Sequence, residues 1–143
     1  LQPYAVATVA IDSARIPDPG LATARPALLV RPAPNTARRV DLPLIRTREL
    51  LGSLQASAGV ATTAGVTVEL RNEQTGDVVR ATTFADGQFY VSRVRPGRYT
   101  ASVAASSLQA LAARAPEPLS FTVPAAGDDV LVELPAIRLD PAR

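Results

Sequence analysis

Apolar and polar residues alternate along most of the chain, which is the pattern of half-buried β-strands. The clearest run lies at residues 66–71, where Val66, Val68 and Leu70 share one side and polar residues share the other. Short strands at near-regular spacing, with turn signals between them, predict a β-sandwich. Similar apolar runs recur at residues 50–54, 88–94, 99–103, 119–123 and 130–134.

Proline, glycine and aspartate mark the turns between these strands. The polar run 72–77 predicts a hairpin loop, and the Asp86–Gly87 and Pro96–Gly97 pairs predict two tight turns. Thirteen prolines in 143 residues argue against long helices, because proline removes a donor and clashes within a helix. The alanine-rich residues 106–114 are the one helical candidate, and we expect about two turns there.

The aromatic residues are few, and the strand phase assigns each of them to a side of the sheet. Phe84, Phe89 and Phe121 are predicted to lie in the core, and Tyr99 in the core or at a corner between strands. Tyr90 has the opposite phase to Phe89, so we expect it at the surface. One exposed tyrosine, in a chain without tryptophan, does not make a sugar-binding platform.

The pattern changes near residue 46, and this change predicts two parts of the chain. We expect an N-terminal strand segment over residues 1–45 and a transthyretin-like sandwich over residues 46–143. The segment is either the end of a preceding β domain or a set of strands added to the main domain. Both faces of residues 4–11 are semi-apolar, which predicts a strand covered on both sides and favours the second alternative.

The residue types that carry most enzyme chemistry are missing. Without His or Cys, neither a Ser-His-Asp nor a Cys-His arrangement can be built, and zinc would have only carboxylates as ligands. Residues 127–129 offer too few oxygens for a calcium loop. We therefore predict no enzyme activity, no cofactor and no metal. Four carboxylates remain as candidates for acid–base work, and each is better explained as a turn or surface residue: Asp86, Asp128, Asp129 and Glu133.

Charge and hydropathy argue against two further classes of function. The formal net charge is +2, basic residues are scattered among acidic ones and 4% of residues are aromatic, so no nucleic-acid-binding face is expected. No apolar run approaches the roughly 18 residues that a spanning helix needs, and we expect this segment to be soluble, without direct membrane insertion. The absence of Met and the strand-like start at Leu1 predict a piece of a longer polypeptide.

The run from Gly65 to Val103 combines an alternating strand, a Thr75–Gly76 turn, the sequence Asp-Gly-Gln-Phe-Tyr-Val at 86–91 and Arg-Pro-Gly-Arg-Tyr at 95–99. This combination resembles the carboxypeptidase-regulatory-like and Cna-B-like modules. The resemblance implies an all-β, immunoglobulin-like or transthyretin-like antiparallel sandwich of about seven strands, with extra N-terminal strands and one short helix. Such modules serve as stalks, spacers and docking domains, so the resemblance specifies the fold more than the function.

A second resemblance covers most of residues 3–103. The segments that carry it are Pro3–Tyr4, Ile11–Asp12, Ile16–Pro17, Val30–Pro32, Val40–Leu42 and Asp86–Val91. Together they are similar to the C-terminal region of outer-membrane fimbrial ushers. The Trp-Gly and the cysteine pair with which usher C-terminal domains commonly end are absent, so the chain resembles an atypical, usher-like protein.

This second resemblance implies a partner and a place. The chain is expected to be a non-catalytic periplasmic domain of an outer-membrane usher-like protein, where it binds chaperone–subunit complexes during assembly of surface fibres. Tyr and Arg are enriched in interface hot spots, and the protein-binding residues that we predict are Tyr90, Arg93, Arg95 and Arg98. The alternative is a structural stalk, spacer or adhesion module of a bacterial cell-surface protein. A calcium- or glycan-binding domain is a further alternative.

Overall fold

The computed structural model describes residues 2–143, which are divided into two compact units between Arg46 and Thr47. The helical content of the described residues is one short 3-10 helix and one short α-helix. None of the helices in this part of the chain is long and apolar enough to cross a bilayer.

The N-terminal unit consists of two small antiparallel sheets built from three-residue strands. Its 3-10 helix begins after Asp12, whose carboxylate accepts a hydrogen bond from the Ala14 amide. A turn follows in which the Asp18 carboxylate accepts the Gly20 amide at 2.8 Å. The 3-10 helix spans Ser13–Arg15. In one sheet β1 (Ala7–Val9) pairs with β3 (Leu28–Val30). In the other sheet β2 (Leu21–Thr23) pairs with β4 (Leu44–Arg46).

The strand predicted over residues 4–11 is wrong in its length and its burial. Only residues 7–9 form a strand, and Tyr4 has a left-handed backbone (φ 64) and a side chain that is 66% exposed. The partner strand β3 lies between Pro26 and Pro32, and proline has no amide hydrogen to donate to a ladder. The pairing therefore stops after three residues, and the remaining apolar positions are left at the surface.

The C-terminal unit is a sandwich of two sheets. The first, called the β5 sheet, contains β5 (Arg48–Ala56), β8 (Gln88–Val94), β12 (Leu131–Glu133), β13 (Ile137–Pro141) and the two-residue β10 (Ala113–Arg114). The second, called the β6 sheet, has the order β11–β9–β6–β7 and is antiparallel throughout. Its strands are β6 (Thr67–Asn72), β7 (Val78–Thr82), β9 (Gly97–Val103) and β11 (Leu119–Val123).

The first and last strands of this unit run in parallel. β8 pairs antiparallel with one edge of β5, and both β12 and β13 pair in parallel with β5. β12 lies beside residues 49–51 and β13 beside residues 54–56, and between them the Leu134 amide donates to the Leu51 carbonyl at 2.9 Å. The chain therefore enters the sandwich at one end of the β5 sheet and leaves it at the other.

The core lies between the two sheets and is built mainly from the alternating positions that the sequence predicted, together with Ile137 and Leu139 of the unpredicted strand β13. Phe89, Leu50 and Leu70 are fully buried there, and Tyr99 is buried beside them. The all-β sandwich with added N-terminal strands and a short helix is thus confirmed. The remaining core residues include Leu54, Val66, Val68, Val91, Val94, Ala101, Val103, Val123, Ile137 and Leu139.

One local prediction is wrong and another is right only in part: Phe84 does not lie in the core, and the predicted helix of about two turns is present but ends earlier than predicted. Phe84 is exposed because it opens a tight turn: its amide donates to the Gln88 carbonyl, and its carbonyl accepts the Gly87 amide. The helix α1 spans only Ala105–Ala110. It ends early because Ala112 takes a left-handed conformation (φ 47), after which residues 113–114 join the β5 sheet as β10.

Candidate functional site

The four residues predicted to bind a protein do not form one surface. Tyr90 pairs across the sheet with Leu51 and points away from the core of the β5 sheet. Arg98 precedes the buried Tyr99 on β9, so it points outward from the β6 sheet. Tyr90 and Arg98 therefore lie on opposite outer faces of the sandwich, and Arg93 and Arg95 lie near the link between β8 and β9.

Arg93 lies in a β-bulge of strand β8. Arg48 is opposite Val94 and Leu50 is opposite Val91, so two residues of β8 face the single residue Glu49. Arg93 has φ 58, the left-handed conformation that such a bulge requires and that glycine adopts most easily. The bulge changes the strand phase, which is why Val91 and Val94 both point into the core although they are three positions apart.

The main-chain carbonyl of Arg95 has a structural role. The buried Tyr99 donates its hydroxyl hydrogen to this carbonyl at 2.9 Å, which gives the phenol a partner inside the sandwich. The ring of Tyr99 also stacks on Phe121, with ring centroids 5.7 Å apart. The prediction that Tyr99 is a core or corner residue is confirmed, and the Arg95 side chain is exposed at the same corner.

The outer face of the β5 sheet carries an apolar strip between two carboxylates. Leu51 is half-buried at its centre, Tyr90 lies beside it on β8, and Leu131 lies on β12 opposite Glu49. Tyr90 and Leu131 are each 43% exposed. Glu133 follows two residues after Leu131 on the same face and is opposite Leu51. We call this surface the acidic apolar face; its residues are Glu49, Leu51, Tyr90, Leu131 and Glu133.

Glu49 and Tyr90 are linked on this face. The hydrogen bond between their side chains, partial burial and the negative charge of Glu49 raise the pKa of Tyr90 above its ordinary value. Sequence reasoning identified Tyr90 as exposed and named Glu133 only as a candidate acid–base carboxylate. It did not bring either residue together with Glu49 and Leu131, because the partner strand β12 comes from a distant part of the chain.

Arg48 is a further residue that sequence reasoning missed. Its side chain is 1% exposed, yet no carboxylate pairs with it among the described residues. The guanidinium instead donates to three main-chain carbonyls of the β11–β12 loop: Pro124 at 3.2 Å, Gly127 at 2.9 Å and Asp129 at 2.7 Å. Arg48 therefore holds this loop in place, immediately before the start of β12.

A groove of about 480 Å³ runs between residues 115–118 and strand β13. Arg114 and Arg138 line it together with Glu117 and Asp140. A hydrogen bond from Ser57 and the charge of Arg138, 3.3 Å away, lower the pKa of Asp140. Positive and negative groups therefore balance in the groove, which gives it no preference for an anion or a cation.

A second groove lies in the N-terminal unit and has a different character. It encloses about 360 Å³ between strands β1 and β3 and residues 31–40. Val9, Val30 and Val40 supply apolar walls, and Arg31 and Arg38 stand at the groove. Neither arginine forms an ion pair with any residue in the described part of the chain. We call this the arginine groove.

The candidate acid–base carboxylates are dispersed. The Asp86 carboxylate accepts the Gln88 amide at 3.0 Å within its turn, Asp128 and Asp129 are exposed in the loop that Arg48 holds, and Glu133 lies on the acidic apolar face. Within residues 2–143 no three side chains of the metal-ligating types come close enough to hold an ion.

Comparison with solved structures finds several β-sandwich proteins at low similarity. The minor pilin GBS52 of Streptococcus agalactiae is 14% identical, with a TM-score of 0.48 over 99% of this chain and 62% of that one. The pilus 2b backbone protein of group B streptococcus is 16% identical, with a TM-score of 0.49 over 86% and 50% of the two chains. The major pilin SpaD of Corynebacterium diphtheriae is 14% identical, with a TM-score of 0.46 over 67% and 30%.

The structural similarity to these three pilins is weak, and the chain spans between 30% and 62% of their length. No curated protein matches the sequence. The family model for the carboxypeptidase regulatory-like domain, in contrast, matches residues 50–131, which is more than half of the chain. That range begins in β5 and ends in β12, so it contains most of the sandwich described above. The chain therefore belongs to the carboxypeptidase regulatory-like domain family.

Proposed function

We propose that this chain is a non-catalytic structural module, a spacer that transmits load along a longer protein of the bacterial cell envelope. The observation that carries the proposal is the parallel pairing of β5 with β12 and β13. Parallel first and last strands put the entry and the exit of the sandwich at opposite ends. β5 is nine residues long, which corresponds to about 30 Å, so each module extends a chain in line.

The same pairing decides how the sandwich carries a pulling force. Tension between the ends acts along β5 and β13, so the hydrogen bonds that join them share the load. Strands pulled apart from one end would instead lose their bonds one after another. The resistance to forced unfolding depends on the unfolding rate under load. We expect this rate to be low when β5 and β13 are pulled along their length in opposite directions.

Single-molecule pulling tests this proposal directly, because the chain has no native cysteine and handles can be attached where they are wanted. Handles at Arg46→Cys and Arg143→Cys load β5 against β13. Handles at Arg46→Cys and Arg95→Cys pull β5 and β8 apart starting at one end. This end is where Arg48 of β5 lies opposite Val94 of β8. We expect the first pair to need a several-fold higher force; equal forces, or the reverse order, would contradict the spacer role.

A docking role at an outer-membrane usher is a second hypothesis. It is favoured by the segment 86–91, which presents Tyr90 outward and Phe89 inward in the usher-like sequence. A pull-down from periplasmic extract with the chain as bait distinguishes it from the spacer. Recovery of a chaperone with its bound subunit, lost with Tyr90→Ser, supports docking. Recovery of neither, from a folded chain, contradicts docking and leaves the spacer proposal intact.

A further inference from the structure

The acidic apolar face is unusual for the outer side of a sheet. Antiparallel sheets that face water on one side normally alternate apolar inward with polar outward residues. Here Tyr90 and Leu131, on the two strands that flank β5, are each 43% exposed on the outer face. Exposed apolar residues that are contiguous and rimmed by polar groups mark an interaction site.

The negative charge of this face indicates what kind of surface can bind to it. Leu131 stands between two carboxylates, because Glu49 lies opposite it and Glu133 follows two residues later on the same side of the sheet. Glu133 forms no ion pair within residues 2–143. A surface that buries Leu131 must therefore supply an apolar recess with positive groups at its rim, since buried carboxylates left unpaired are costly.

The arginine groove has these properties. Apolar residues, among them Val9, Val30 and Val40, line it together with two threonines, and its volume is about 360 Å³. Arg31 and Arg38 also line it, without ion-pair partners in the part of the chain described. The N-terminal unit as a whole contains six arginines and three aspartates, a formal net charge of +3. Each of these aspartates is already paired, Asp12 with Arg15, Asp18 with Arg46 and Asp41 with Arg39.

Exposed apolar residues accompany this positive charge. Leu29, on the paired strands that border the groove, is 75% exposed, and Tyr4 and Val6 are exposed nearby in sequence. A unit of this size buries little apolar surface by itself, and Ala22 is the one apolar side chain among residues 2–46 that is buried. The N-terminal unit therefore combines a net positive charge with exposed apolar residues, although Leu29 alternates with Val30 and points away from the groove. Its charge is opposite to that of the acidic apolar face.

We propose that the chain associates head to tail: the arginine groove of one copy receives Leu131 and Tyr90 of a second copy. Glu49 and Glu133 of the second copy then pair with Arg31 and Arg38 of the first. The two contacting surfaces differ, so the first copy keeps a free acidic apolar face and the second copy keeps a free arginine groove. Such a heterologous contact builds an open chain of copies or a closed ring.

Sedimentation velocity of the full chain at concentrations from micromolar to millimolar tests the association. We expect larger species as the concentration rises, and less association as salt is added. The face variant Glu49→Arg/Glu133→Arg and the groove variant Arg31→Glu/Arg38→Glu should each weaken self-association at least about ten-fold. A control with the same change of charge, Glu69→Arg in β6 and Glu73→Arg in the loop that follows β6, should leave it unchanged.

Mixing the two reversed variants is the decisive measurement. The face variant presents a positive face and a positive groove, and the groove variant presents a negative face and a negative groove. Neither should associate with itself, but an equimolar mixture should associate again, because each face then meets a groove of opposite charge. Circular dichroism of each variant checks that it is folded. A wild-type chain that stays monomeric, or folded variants whose mixture stays monomeric, would overturn the proposal.

Discussion

The ring of Phe89 occupies the space in which a β-carbon on Gly52 would lie. The two residues are opposite each other on β8 and β5. A β-carbon at position 52 would come within 2.2 Å of Cζ of Phe89, 2.6 Å of Cε1 and 2.8 Å of Cε2. Because Phe89 is fully buried, its ring has little room to move aside. The absence of a side chain at residue 52 is what lets this ring fill the centre of the sandwich.

Gly52→Ala should therefore lower the free energy of unfolding by about 3 kcal/mol through overpacking, measured by urea denaturation. Gly76→Ala is the matched control: it has φ 76 but nothing within 4 Å of the new methyl, so it reports backbone strain alone, about 1 kcal/mol. The double variant Gly52→Ala/Phe89→Leu should lose less stability than the sum of the losses of the two single variants. Equal costs for the two glycine variants would refute this explanation.

Arg48 gives a second prediction, because its guanidinium is the donor to three carbonyls of one loop. Arg48→Met keeps much of the apolar volume but leaves those carbonyls without a partner, and we expect a loss of about 3 kcal/mol. Amide exchange in residues 124–130 should accelerate as well. Arg71→Met, at an exposed position, should change stability by no more than about 0.5 kcal/mol. Unchanged exchange in the loop would contradict the role assigned to Arg48.

The left-handed backbone at the Arg93 bulge predicts that glycine is tolerated at this position better than valine. Arg93 has φ 58, so Arg93→Gly relieves a left-handed conformation while it adds freedom to the unfolded chain, and the net change should lie within about 0.5 kcal/mol of zero. Arg93→Val places a β-branched residue in the same conformation and should cost about 2 kcal/mol. Thermal denaturation of both variants gives the comparison. If Arg93→Gly proved the more harmful, the side chain and not the backbone would be decisive here.

Tyr90 and Glu49 predict a change at alkaline pH. The hydrogen bond to Glu49 and its charge raise the pKa of Tyr90, from an ordinary value of about 10. A raised folded-state pKa stabilises the protein fully below the unfolded pKa, and this contribution is lost as the pH rises through the folded pKa. Glu49→Gln should lower the pKa of Tyr90, seen by NMR titration of the tyrosine ring carbons. Tyr99, which bonds to Arg95 and not to Glu49, is the internal reference.

Much of the sandwich follows from local sequence. Strands β6, β9 and β11 are predicted from alternation alone, and the turns at Gly76 and Gly87 from glycine at positions of positive φ. A pattern of period two identifies the buried face of a strand wherever one side meets the core and the other meets water. That is why the inward positions of Val68, Leu70 and Phe89 could be predicted.

Other features were decided by tertiary structure. Residues 137–141 form a strand because β5 offers them a parallel edge, and parallel partners distant in sequence leave no local signal. Arg48 is buried because a loop some 80 positions away supplies its three acceptors. The acidic apolar face likewise requires β8, β5 and β12 to be brought side by side.

The sequence by itself thus determined the fold class, the main turns and the inward side of each long strand, because these depend on periodicity and backbone preference within a few residues. It also excluded His- and Cys-based chemistry, since those residues are absent. The order of the strands, the parallel entry and exit, and the surfaces at which apolar and charged groups meet depend on contacts between distant segments. Only the tertiary structure decided these, because the hydrophobic drive to bury a face does not specify which neighbour covers it.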